Sequence, residues 1–129
     1  QGLATVEVNK KFTFSEDPQD ARNVSLVGAG LELRAPVGYD FAWLDELEVY
    51  LRNPANPDEV VLVARSTGYQ PGETRIGLNL VYQEDLRDFV NSERAIRASF
   101  RGRVSQWFGE WPADGFTVRA FATLRFDLY

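Results

Sequence analysis

The chain of 129 residues has no cysteine, no histidine and no methionine. Without cysteine there is no disulfide, no thiol nucleophile and no thiolate ligand. Without histidine there is no Ser-His-Asp triad, and the Cys/His zinc sites are excluded as well. No apolar run approaches the roughly 20 residues that a helix needs to cross a bilayer. Lysine is scarce, Lys10 and Lys11 against 12 arginines, a bias we read as the codon usage of a GC-rich genome. The net charge is −5, whereas a non-specific nucleic-acid binder is normally basic. Residues 1–92 carry a net −7 and residues 93–129 a net +2.

What is present is a composition that folds. Hydrophobic residues make up 44% and charged residues 26%, which argues against a disordered tail, and the length suits one domain, residues 1–129. Position 1 is Gln rather than Met. This leads to the expectation of a chain that has been processed, or cut from something larger. With the missing cysteines it points to an extracytoplasmic address: secreted, periplasmic or at the cell surface.

Alternation with period two dominates, the mark of half-buried strands. In 6–14, Val6, Val8, Phe12 and Phe14 fall on one face, and Lys10 interrupts it, which predicts an edge or a bulge. Residues 24–28 and 31–35 read as short strands or one bent strand. In 44–52, Leu47, Val49 and Leu51 point inward, while Glu46, Glu48, Tyr50 and Arg52 point outward. The two Asn-Pro dipeptides of 53–58 make a turn. Residues 59–66 predict a more fully buried strand. Further alternating strands follow at 75–82, 94–104 and 116–128. Leu86, Phe89 and Val90 give the one helix-like stretch, 83–91, too short to stand alone. The expected core is Ile76, Leu78, Leu80, Ile96, Phe100, Val118, Leu124 and Phe126. Seven to nine short strands without βαβ spacing predict an all-β antiparallel two-sheet sandwich with immunoglobulin-like Greek-key connections, a closed barrel being the alternative.

The run LDELEVYLRN, then EVVLVAR, then IGLNLVYQEDLRDFV, then a strand ending RASFRGRV and a long final alternating strand resembles uncharacterised immunoglobulin-like β-sandwich domains of secreted or lipid-anchored bacterial proteins. A strand followed by a D-L-x-x-[FY] turn, here Asp85, Leu86 and Phe89, is part of that likeness. It covers residues 43–128 and implies no enzymatic activity. The cysteine that anchors the lipidated members is missing.

Three constellations stand out. Trp107, Phe108 and Trp111 lie within five residues of one loop, and Tyr39, Phe41 and Trp43 in another. Rings in loops at a sandwich end either stack on sugars and dock partners, or fold back and cap the core. Arg97, Arg101, Arg103, Arg119 and Arg125 share one face if 94–104 and 116–128 pair as a hairpin. That would be a patch for an anionic glycan, a phosphate surface or an acidic partner, unless Glu7, Glu46 or Glu48 neutralises it. Glu16, Asp17 and Asp20 cluster in a turn, with Asp58 and Glu59 after the Asn-Pro turn, but no calcium-loop spacing is present. No metal, no cofactor and no catalytic residue is expected. The leading expectation is a non-catalytic domain that binds a protein partner or associates with itself. The alternative is a carbohydrate-binding module that uses loop aromatics. For either, the expected ligand or partner site is the loop-end surface of Trp107, Phe108 and Trp111, with Tyr39 and Trp43 as neighbours, and the arginine face is the secondary candidate. A glycan module requires flat exposed Trp rings, an assembly subunit requires a terminal strand poorly packed in the monomer, and an enzyme requires a cleft holding two carboxylates.

Overall fold

The computed structural model describes residues 5–14, 21–67, 72–104 and 112–128. Eight strands fill most of them: β1 (Thr5–Thr13), β2 (Ala21–Ala35), β3 (Leu44–Asn53), β4 (Asn56–Thr67), β5 (Arg75–Gly77), β6 (Asn79–Leu80), β7 (Ala95–Val104) and β8 (Thr117–Leu128). They form two antiparallel sheets. The larger has the order β1-β7-β3-β4-β6 and the smaller β5-β2-β8. The fold is therefore an all-β two-sheet sandwich. Consecutive strands alternate between the sheets except at the β3–β4 hairpin and from β6 to β7, where both strands belong to the larger sheet.

That hairpin turns at Pro54 and Ala55, where the Ala55 N–H donates to Asn53 Oδ1 at 3.0 Å, so the Asx side chain closes the turn. Asn56–Asp58, expected in the turn, already belong to β4. Among the described side chains of β4 only Val63 and Ala64 are buried, less than the continuous apolar run suggested. Of the two readings of 24–35, separate short strands or one bent strand, the structure has the second: β2 runs unbroken for 15 residues, and its bends are register shifts against β8 at Leu26/Gly28 and at both ends. The helix-like stretch shrinks to one 3-10 turn, Arg87–Phe89, with Leu86 and Phe89 buried. Asp85 clasps it to β2. Its Oδ1 accepts from the Val24 N–H at 3.1 Å, its Oδ2 accepts from Arg87 Nε at 2.7 Å, and Arg87 Nη1 reaches the Ala21 carbonyl at 2.8 Å.

The core lies between the sheets and is centred on Phe41, Phe100, Leu86, Val24 and Val63. Of the expected core, Ile76, Ile96 and Phe100 are buried, and Leu78, Leu80, Val118 and Leu124 pack against it from half-buried positions. Phe126 departs from the expectation. It lies on the inward series of β8 yet remains 42% exposed, because β8 is an edge strand with no described strand beside its outer edge.

Candidate functional site

Strands β7 and β3, each flanked by a strand on both edges in the larger sheet, carry buried residues along their length. The two terminal strands do not. In β1 and β8 no residue whose side chain is described is buried. Both line one cavity of about 320 Å³ between the sheets. Phe12, Thr13 and Phe14 border it from the β1 side and Ala122, Leu124 and Phe126 from β8, with Phe100 and Leu86 among the walls. Of its described lining residues, Thr13 alone is polar and none is a carboxylate. The rings of Phe14 and Phe126 meet edge to face at 5.8 Å and bridge the gap between the two sheets on that side.

The sequence-predicted aromatics divide. Trp107, Phe108 and Trp111 lie outside the described residues. Trp43 is only 6% exposed and stacks on Phe116 at 4.9 Å and 14°, with Phe41 tilted against it at 5.7 Å. Tyr39 is half-buried and meets Phe116 edge to face at 5.4 Å. These rings fold back and cap one end of the sandwich, so Tyr39 and Trp43 do not offer a flat exposed face. The reason is local. Asp40 Oδ1 accepts from the Ala42 N–H and Oδ2 from the Gly72 N–H, both at 2.9 Å. That carboxylate turns the loop inward and ties it to the approach to β5.

The proposed arginine face also requires correction. β7 and β8 do not pair: β7 lies between β1 and β3, and β8 pairs with β2. Arg97, Arg101 and Arg103 therefore sit on one sheet, Arg119 and Arg125 on the other. Each has an acidic neighbour. Arg101 Nε donates to Glu7 Oε1 at 2.7 Å, and Arg103 Nη2 to Glu46 Oε2 at 2.5 Å. Arg97 lies 3.6 Å from Glu93, Arg119 3.6 Å from Glu32, and Arg125 3.4 Å from Asp127. Arg101 also covers the Tyr50 ring at 4.6 Å, and Tyr50 Oη donates to Glu48 at 3.0 Å. Burial first, and then that bond to Glu48, push the Tyr50 hydroxyl pKa up.

Sequence reasoning missed the outer face of the smaller sheet. There Glu32 meets three arginines: Arg34 from β2 at 2.9 Å, Arg75 from β5 and Arg119 from β8 at 3.6 Å each. The hydrogen bond from Arg34, opposed by some desolvation and reinforced by all three positive charges, lowers the Glu32 pKa. Two of these strands are far from Glu32 in sequence, so only the sheet order could have revealed the cluster. Among the described residues no group of three or more acids is arranged to hold a metal ion. Nor is any helix long and apolar enough to cross a membrane. Comparison of the chain with protein-family models, with curated proteins and with solved structures returns no match.

Proposed function

We propose that this chain is a non-catalytic β-sandwich module that binds or assembles with protein outside the cytoplasm, through the side where β1 and β8 meet. One observation carries the reading: the two terminal strands have no buried side chain among those described, yet together they rim an apolar cavity. A strand in this state gains packing when another polypeptide covers it, and an open sheet edge is a ready template for strand addition. The lining is apolar among the described residues, none of which is a carboxylate, and such a surface suits a protein partner better than the acid–base pair of glycoside hydrolysis. The folding back of Tyr39 and Trp43 takes two rings away from the glycan reading. Immunoglobulin-like connectivity is part of the proposal and is supported by facing antiparallel sheets joined by repeated crossovers. The extracytoplasmic address rests on the cysteine-free, strand-rich composition.

Amide hydrogen exchange on the dilute monomer tests this. The outward-directed N–H groups of β8 should exchange far faster than those of the central strand β7. Slow exchange along the whole of β8 in the monomer would show that the chain covers its own edge, and would overturn the reading. Retention on a polysaccharide matrix that is lost on Trp107→Ala and Trp111→Ala would replace it with the glycan alternative.

A further inference from the structure

The sandwich has four sheet edges, β1 and β6 in one sheet, β5 and β8 in the other. Proteins blunt such edges with short strands, lysines, inward charges or bulges. β5 has three residues and β6 two. β1 carries Lys10 within its inward series and Lys11 beside it, both exposed. β8 has none of these devices. It is 12 residues long and contains no Lys and no Pro. Its inward series, from Val118 to Phe126, carries no charge. All three register shifts of the β2–β8 ladder fall on β2, while β8 advances residue by residue from Thr117 to Leu128. Its free edge is therefore regular, and no described strand pairs with it.

Resting on the reading above, we propose that the occupant of this edge is the β8 of a second copy, paired antiparallel about a twofold axis at Thr123. The order of side chains selects this partner. Centred on Thr123, the pairing sets Arg119 opposite Asp127 of the second copy and Phe121 opposite its Arg125, with Thr123 facing Thr123. On the inner face Ala120 meets Phe126 and Ala122 meets Leu124, small against large in each case. The strand is complementary to its own reverse over its whole length, as an isologous interface requires. Sliding one step, to a centre at Ala122, sets Arg119 against Arg125, a like-charge pair that costs stability. The other register that joins Arg to Asp, centred at Phe126, overlaps only the last part of the strand. Pairing through Thr123 joins two three-stranded sheets into one of six and covers the exposed Phe126.

Thr123 makes the test clean. It is exposed and pairs with Gly28 in its own sheet, so replacing it removes little from the monomer. The wild-type chain should dimerise with rising concentration in sedimentation velocity. Thr123→Glu and Thr123→Lys should each weaken the dimer roughly tenfold or more, because each sets like charges face to face. An equimolar mixture of the two should recover a heterodimer. The absence of cysteine allows a second readout. Directly opposed antiparallel residues lie about 4.5–5.5 Å apart at Cα, within disulfide range, so Thr123→Cys should cross-link under mild oxidation. Thr117→Cys should not, since six residues at about 3.3 Å each place its two copies about 40 Å apart. A chain that stays monomeric at high concentration, with no Thr123→Cys cross-link and fast exchange along β8, would overturn self-pairing and leave the general reading standing. Slow exchange along β8 in the monomer would end both. A dimer that cross-links through Thr117→Cys, or that Thr123→Glu leaves intact, would overturn the proposed register.

Discussion

Phe121 and Gly30 stand opposite each other in the β2–β8 register, and the phenyl ring occupies the space a side chain at residue 30 would need. A Cβ at that position would fall 2.6 Å from Phe121 Cζ and would collide with the carbonyl oxygen of Ile76. On the far side the Arg75 guanidinium lies 4.1 Å from the ring centroid. One aromatic thus spans all three strands of the smaller sheet from the solvent face. Gly30→Ala should cost about 1–3 kcal/mol, the usual penalty of overpacking. A urea midpoint equal to wild type would show that the ring and β5 yield freely.

Phe100 and Phe126 test where the core ends. Phe100 is 2% exposed in the central strand β7. Phe100→Ala should lose about 3–5 kcal/mol, as a buried ring replaced by a cavity does. Phe126→Ala in the monomer should lose under about 1 kcal/mol, in the range of surface substitutions. Equal losses in denaturant titrations of the two variants would contradict this division.

Trp43 is buried against Phe116 at the end of the sandwich that it caps. Trp43→Ala should cost about 3–5 kcal/mol, since it removes a buried ring stacked on Phe116. A variant of unchanged melting temperature with a lost binding activity would return Trp43 to the ligand surface.

Asp85 should contribute to acid sensitivity. Desolvation pushes its pKa up, but hydrogen bonds from the Val24 N–H and from Arg87 outweigh that, so it lies below its ordinary value of 3.8 in the folded state. A depressed carboxyl pKa stabilises the fold above the unfolded value, and the contribution fades as pH falls through the folded one. Wild type should therefore lose this part of its stability below about pH 4. Asp85→Asn should be less stable at pH 7 and show a flatter acid limb. Parallel stability–pH curves for the two proteins would show that the clasp carries no such linkage.

The ion pairs of the outer faces should matter less. Arg101→Ala breaks the contact with Glu7, but both side chains are more than 40% exposed, and pairs of this kind contribute about 0–1 kcal/mol. A loss well above that, insensitive to salt, would mean that Arg101 acts chiefly through its packing on Tyr50.

Much of this molecule follows from period-two alternation alone. The inward series of β3 and β7, the edge position of β1 signalled by Lys10, and the all-β class are local consequences of which residues alternate. Partnership between strands is not local. The same alternation in 94–104 and 116–128 is satisfied by a hairpin or by two strands in different sheets, because it orients side chains and leaves the neighbour unnamed. Only the tertiary structure separated Arg97, Arg101 and Arg103 from Arg119 and Arg125, and only it brought Glu32 to Arg75 and Arg119. Burial at loop ends is equally non-local. Trp43 and Phe126 look like a loop ring and a core ring in sequence. The Asp40 carboxylate draws the first loop inward and the unpaired edge of β8 leaves the second ring exposed, because burial depends on what the rest of the chain lays over each ring.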